Sequence, residues 1–216
     1  SEIPPHDVIC GGFPCQPFSI SGNHQGFKDG RGTLLHEILR ITKYHQPKVL
    51  LLENVKNYQS HGGGKTLATT IRLLEEANYQ VNFEVLNASR YGIAQKRERI
   101  YFVCFRKDLK ISGFSFPEPS DELVSLEDHL LCPKDPRLKE LIIERSDLRL
   151  DKILPKEVKN RPLRIGTVGK GGQGERVYST KGHAITLSAF GGGIGAKTGM
   201  YLVAGRVRRL HPEECR

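Results

Sequence analysis

A chain of 216 residues, 38% of them apolar, can bury one large core or a core plus a smaller second domain. Its 33 Lys and Arg against 24 Asp and Glu leave a formal net charge of +9, which favours an anionic partner while keeping nucleic acid and acidic lipid both open. No apolar run approaches a membrane span, no N-terminal block resembles a secretory signal, and five cysteines (Cys10, Cys15, Cys104, Cys132, Cys215) at irregular separations suggest neither a disulfide framework nor a metal knuckle. The expectation is a cytoplasmic protein without a metal site. The first residue is Ser and the last run is the polar HPEECR, which leaves a fragment or a split-gene product open.

Residues 7–10 (DVIC) have the composition of a short buried strand entering the turn residues GGFPCQP. Residues 33–44 carry Leu34, Leu35, Ile38, Leu39 and Ile41 at helical spacing, which predicts a helix with a broad apolar face. Pro47 separates it from VLLLEN, an unbroken apolar run that fits a central parallel strand covered on both faces, with Glu53 at its C-terminal end. Ligands of open α/β sheets bind at that end of the strands. A second helix is expected at 66–77 and strands at 80–86 and 99–105, the last two as candidate neighbours. The fold class is therefore α/β.

From 113 to 160, prolines and scattered charges break this pattern, apart from a weak helical signal at 137–145. The stretch is expected to be a connector wrapping the first domain. Beyond 161, glycines recur between Gly166 and Gly205 among the short β-type pieces RVYS, AITLSAF and YLVAG. Such a region suits a small recognition domain held close to a partner surface. The alternative is a mobile linker, in which its Val, Ile, Tyr and Phe would have no role. The expected boundaries are 1–112 for a partial α/β core, 113–160 for the connector, 161–205 for the recognition domain and 206–216 for the start of a return to the core.

Cys15 lies in the turn after the first strand, where Gly11, Gly12, Pro14 and Pro17 constrain the backbone. A lone cysteine is ordinarily an inert buried residue, but a thiol in a basic, partly open turn can be activated by a lowered pKa. Glu53 directly follows four apolar strand residues, a costly place for a charge without a purpose or a partner. A helix cap or a salt bridge would explain it as well. If the strands at 7–10 and 48–52 are parallel neighbours, however, Cys15 and Glu53 face the same crevice. In QKRERI, Arg97 and Arg99 alternate and can point to one face of an extended chain, either as a solvated charge run or as a clamp for a phosphate or a base edge.

The Phe-Pro-Cys-Gln turn at 13–16, Glu-Asn-Val at 53–55 and Gln-x-Arg-x-Arg at 95–99 resemble, in order and spacing, the motifs of the DNA cytosine-5 methyltransferases. The combination is specific where each triplet alone is weak, and the resemblance extends across almost the whole chain. It implies part of a Rossmann-like S-adenosylmethionine-dependent methyltransferase sheet with a small glycine-rich target-recognition domain. It further implies that Cys15 attacks C6 of a flipped cytosine in duplex DNA, Glu53 holds and protonates N3, Arg99 contacts the base and Arg97 supports the site. Gln16, Ser19 and Ser21 would approach the flipped base or the space it leaves, while Pro14 and Leu34 would line the cofactor. In the tail, which is similar to the recognition region of GCGC-type members, Gln173, Arg176 and Tyr178 would contact DNA. Thr186 would lie beside the flipped nucleotide's backbone, with Lys170 and Lys181 on phosphates.

The family's opening glycine-rich loop, the acidic residue that follows it and the late Gly-Asn-Ser motif have no counterpart here. The resemblance therefore keeps open a second polypeptide that supplies the cofactor-binding loop, with this chain as the DNA-binding half. A transfer-RNA cytosine-5 methyltransferase is a further alternative, and the tail's similarity to a DNA reader argues against it. The bacterial restriction-modification setting implied by the resemblance agrees with a cytoplasmic location. Two glycine runs imitate nucleotide sites. HGGGKT fails as a phosphate loop because Gln59 stands where the motif wants glycine, and GKGGQG has no strong parallel strand before it or long helix after it.

Overall fold

The structure is a computed structural model that describes residues 3–13, 33–188 and 193–215. The chain divides into two compact units, residues 1–86 with 98–118, and residues 87–97 with 119–216. Among the described residues no helix is long and apolar enough to cross a membrane.

The first unit is an α/β sheet. Its strands β1 (Val8–Gly12), β2 (Val49–Val55), β3 (Tyr79–Asn87) and β4 (Glu98–Arg106) lie in the order β1-β2-β4-β3, so the expected neighbours β3 and β4 do adjoin. β1 runs parallel to β2 with Gly12 opposite Glu53, and β2 runs antiparallel to β4 with Glu53 opposite Tyr101. Helix α1 (Thr33–His45) buries Leu35, Leu39 and Thr42, a spacing of four and three residues that keeps one face on the sheet. It ends where Gln46 turns left-handed ahead of Pro47 and its side-chain amide donates to the Thr42 and Lys43 carbonyls, with Lys43 and His45 in the last turn. Helix α2 (Lys65–Glu76) buries Leu67, Thr70 and Leu74 in the same way, and the Tyr58 hydroxyl lies 2.6 Å from Thr70 Oγ1.

Leu50 and Leu52 of β2 are fully buried with Ile100, Phe102 and Tyr79. Leu51 between them is 41% exposed, so among the described residues β2 is covered on one face rather than on both as expected. A run of four apolar residues carries no alternation from which to tell the two cases apart. Val8, Val55 and Phe83 are exposed as well.

The second unit is built on a five-stranded sheet ordered β5-β6-β7-β8-β9, comprising Arg149–Leu150, Leu163–Thr167, Arg176–Ser179, Met200–Val203 and Arg206–Arg208. β6 and β7 are antiparallel with a bulge between Arg164 and Gly166, β7 and β8 are parallel, and β8 and β9 form a hairpin. Ala204 and Gly205, both at positive φ, make its two-residue turn. Two small cores form, one around Leu126, Tyr178, Tyr201 and Leu210, the other around Ile165, Val177, Met200 and Val207.

Of residues 113–160, expected to wrap the first domain as a connector, 119–160 pack within this second unit. Leu126 N donates to the Gly182 carbonyl (3.1 Å), Ser125 Oγ to the Thr180 carbonyl (2.9 Å), and Ile143 N to the Val207 carbonyl (2.8 Å). The weak helical signal at 137–145 resolves to a 3-10 turn at Pro136–Leu141, capped by Asp135, whose side chain accepts from Arg137 N. The segment is mostly exposed and is anchored by isolated buried residues such as Leu126 and Leu138 rather than by regular structure.

The end of this unit is locked by a buried ion pair. Arg208 reaches Glu214 with both guanidinium amines (2.7 and 2.6 Å), and the same carboxylate accepts from the amides of Leu131 and His211. Desolvation pushes the Glu214 pKa up, but the bonds from Arg208, His211 and Leu131 together outweigh it and hold the group below the usual carboxylate range. Replacing Glu214 by Ala strands a buried guanidinium, and the expected cost is about 3–5 kcal/mol. A carboxylate with a depressed folded pKa contributes stability that is present above its unfolded value, near 4.5, and is lost as the pH falls through the lower folded value. Urea denaturation across pH 3–7 should show that acid loss in the natural chain and a shallower one in Glu214→Ala; identical acid limbs would remove Glu214 as its source.

Candidate catalytic site and target-reading surface

Pro14, Cys15, Gln16, Ser19 and Ser21 lie outside the described residues. What the structure does define is the ground on either side of them. Phe13 is buried with its ring edge-on to Tyr58 (centroids 5.4 Å), and its amide donates to the Glu53 carbonyl at 3.5 Å. The chain leading to Cys15 is thus anchored to the strand end that carries Glu53. Leu34, on the first turn of α1, is 49% exposed, while its neighbour Leu35 is in the core.

Glu53 sits at the C-terminal end of β2 with its carboxylate partly open to solvent. Arg99 Nε lies 2.8 Å from Glu53 Oε1, and the Arg99 Nη1 atom also donates to the Glu98 carbonyl at 2.9 Å. Opposite stands Gly12, where an added Cβ would lie 3.3 Å from Glu53 Oε2. Glycine at this position leaves room for the carboxylate, and the guanidinium fixes its direction. An acid in such a place is held in one orientation at the strand end.

Asn54 is a residue that the sequence reasoning missed. It is buried, its Oδ1 accepts from Val55 N at 2.8 Å, and among the described residues its Nδ2 donor has no partner. A buried amide donor left over costs free energy, so it marks a place where an acceptor belongs. The signal was present in the Glu-Asn-Val triplet, where an amide follows the acid at the strand end.

Arg97 and Arg99, expected on one face of one strand, fall in different units. β4 begins at Glu98, because the Asn87 side chain caps the turn at 88–90 and also accepts from Arg97 N at 3.1 Å. Arg97 therefore lies just before the strand, while Arg99, on β4, pairs with Glu53. Residues 94–96 pair instead with 184–186 in the second unit. Ala184 N donates to the Ala94 carbonyl (2.7 Å), Lys96 N to the Ala184 carbonyl (2.9 Å) and Thr186 Oγ1 to the Lys96 carbonyl (2.6 Å). Thr186 is exposed beside the Gln-x-Arg motif, held there by its own side chain. Arg97, Gln95, Leu126, His129 and Cys215 line a cavity of about 340 Å³ in this unit.

The glycine-rich loop after β6 is closed on itself. Gly172 N donates to Glu175 Oε2 (2.9 Å), Val168 N to the Glu175 carbonyl (2.8 Å) and Gly169 N to Asp147 Oδ2 (3.1 Å). Gly169 and Gly171 take positive φ, which glycine adopts without strain. The result is a fixed platform from which Lys170, Gln173 and Arg176 project, all three exposed. Tyr178, expected at the DNA surface, is instead 8% exposed and packs against Tyr201, since the strand after Arg176 is buried throughout. Lys181, expected on a phosphate, forms an ion pair with Glu127 at 2.6 Å, with both side chains still partly exposed.

Comparison with known proteins agrees with this geometry. The family model described as C-5 cytosine-specific DNA methylase matches residues 1–216. The chain is similar to the Type II methyltransferase M.HhaI of Haemophilus parahaemolyticus, 54% identical over 99% of this chain and 64% of that protein. M.NgoBI of Neisseria gonorrhoeae is 46% identical over 62% of this chain and 42% of that protein. The chain thus spans less than two thirds of the length of these relatives. Among solved structures, the S. pombe Dnmt2 methyltransferase aligns with a TM-score of 0.63 at 15% identity, covering 96% of this chain and 64% of that one, a likeness of fold. The chain belongs to the C-5 cytosine-specific DNA methylases.

Proposed function

We propose that this chain carries the catalytic and target-reading residues of an enzyme that methylates C5 of one cytosine in a short duplex DNA site. The observation that carries the proposal is Glu53, held by Arg99 at the strand end opposite Gly12, just ahead of the Phe-Pro-Cys-Gln sequence. Cytosine is a poor methyl acceptor at C5, and covalent addition at C6 creates the carbanion-like centre it lacks. In this reading the Cys15 thiolate bonds to C6 and the C5–C6 π electrons become nucleophilic at C5. Glu53 donates its proton to N3, offsetting the charge that develops in the ring. C5 forms its bond to the methyl group as the donor's sulfur–methyl bond breaks; a base then takes the C5 proton, the Cys15–C6 bond breaks with its electron pair returning to the thiolate, and the N3 proton returns to Glu53, releasing 5-methylcytosine.

Because C6 is enclosed in a stacked duplex, the base must first be flipped out. Gln16, Ser19 and Ser21 are proposed to line the flipped base or the space it leaves. Thr186 is proposed to hold the backbone beside it, with Arg97 supporting the site. Arg99 orients Glu53 and contacts the base edge. The cofactor is proposed to be S-adenosylmethionine, which supplies an electrophilic methyl group when bound. Leu34, apolar and exposed on α1, suits its methionine or adenine part, with Pro14 as a second contact.

The test is a duplex with 5-fluorocytosine at a GCGC-type target, mixed with the protein and S-adenosylmethionine. Fluorine blocks the final elimination, so a denaturation-resistant complex is the expected result. No complex under conditions where the unmodified duplex is methylated would refute the covalent route.

Target reading is assigned to Gln173 and Arg176, with Lys170 and Lys181 on phosphates and Tyr178 supporting the strand that presents Arg176. An exposed Arg at the start of a strand can bond bidentately to guanine O6 and N7, worth about 1–3 kcal/mol of discrimination. Competition binding with Arg176→Ala should show target preference lost at one guanine and general duplex affinity largely kept. An equal loss on every sequence would reassign Arg176 to the backbone.

A further inference from the structure

The second unit carries a basic groove apart from the residues assigned above. It has a volume of about 580 Å³ and is lined by Pro155, Lys156, Glu157, Lys159, Arg161, Pro162, Leu163 and Arg164, four cations against one carboxylate. All four cations are exposed, and none takes part in an ion pair recorded among the described residues. Four like charges with a single carboxylate between them repel one another and leave a local positive field that a polyanion would relieve.

The groove is preformed. Lys159 N donates to the Lys181 carbonyl (2.9 Å), Arg161 N to the Lys159 carbonyl (2.7 Å) and His183 N to the Arg161 carbonyl (3.2 Å). Gly182 permits this clamp, since a Cβ there would collide with the Arg161 carbonyl. Pro155 and Pro162 fix the backbone at each end. The cations therefore stand on an ordered ridge, so that less conformational freedom is lost when they bind.

The groove is also continuous with the target-reading platform. The Arg164 Nη2 atom lies 3.8 Å from where a Cβ of Gly171 would be, which puts the last cation of the groove against the Lys170–Gln173 loop. The Lys181 carbonyl, at the other end, holds Lys159.

We propose that Lys156, Lys159 and Arg161 bind the phosphodiester backbone of duplex DNA flanking the recognition sequence, extending the footprint beyond the bases that are read. This rests on the proposed DNA-methylating function, and it adds affinity and register rather than sequence choice. Glu157 within the groove trims that affinity. Each neutralised phosphate releases counterions, so three contacts should add about 3 to the slope of log affinity against log salt.

The experiment measures binding of the full protein to a short duplex holding only the target and to one extended on both sides, each across 50–200 mM salt. The natural protein should prefer the longer duplex. Lys156→Gln/Lys159→Gln/Arg161→Gln should bind the longer duplex roughly 100-fold more weakly at 0.1 M salt, with the slope reduced by about 3 and the ratio of target to non-target affinity unchanged. Glu157→Gln should shift affinity the other way, a change that unfolding cannot imitate. Wild-type slope and length preference in the triple variant would overturn the groove while leaving methylation standing. Loss of salt-dependent but unselective binding in that variant would keep the groove and overturn target reading. No DNA binding by the natural protein would overturn both.

Discussion

Cys15→Ser is expected to lower methyl transfer by at least about 10⁴-fold while leaving most DNA affinity in place. Serine keeps the shape of the side chain, but its hydroxyl is far from ionised at neutral pH and cannot add to C6 at a useful rate. The other cysteines provide an internal control. Burial pushes the Cys104 thiol up to about 12 and also raises that of Cys215, so neither supplies a thiolate at neutral pH. Cys10 and Cys132 are exposed and chemically available. The discriminating measurement is therefore peptide mapping of the 5-fluorocytosine adduct. Attachment at Cys15, and none in Cys15→Ser, is the expected outcome. Attachment at Cys10, five residues earlier on β1, would move the nucleophile, and undiminished turnover in the serine variant would remove it.

The elements around this chemistry were legible because their signals are local. Leu35 and Leu39 at helical spacing and Pro47 after Gln46 mark α1 and its end, and VLLLEN marks the strand that delivers Glu53. Elsewhere a distant contact decided the local structure. Arg97 and Arg99 are two residues apart, which implies one face only if both belong to the strand. The Asn87 side chain, ten residues upstream, grips the Arg97 amide and starts β4 one residue later. Thr186 and Lys96 meet across ninety residues of sequence, and no spacing in either segment announces it. Tyr178 was expected at DNA because the tail resembles the family's recognition region. Its ring is taken by Tyr201 from β8, a parallel pairing that local pattern does not encode.

Legibility also differs between the two units for a physical reason. The first builds a core from helices and strands whose apolar periodicity is written in each segment. The second closes its cores with single residues from irregular chain, such as Leu126 and Leu210, and with the Arg208–Glu214 pair. Glycine spacing there showed that close approaches were needed, as at Gly182 against Arg161, but not which strands would make them.

Glu53→Gln is expected to lower the rate of methyl transfer by about 10²–10⁴-fold, with DNA affinity changed little. Glutamine has the same length and can still meet Arg99 through its oxygen, but it has no proton to give N3 as negative charge builds in the ring. The loss should therefore fall on kcat rather than on KM. Gly12→Ala supplies the comparison, because it leaves the acid intact and presses a methyl group to 3.3 Å from Glu53 Oε2, tight enough to displace the carboxylate by a few tenths of an ångström. Misplacing a group that still carries its proton should cost less, about 10-fold to 100-fold. If Glu53 acts only as a partner for Arg99, the two variants should be equally mild, since glutamine preserves that contact and alanine merely strains it. Single-turnover rates with saturating DNA separate the cases. A Gln variant far slower than the Ala variant assigns Glu53 the proton, and a Gln variant as fast as the natural protein takes it away.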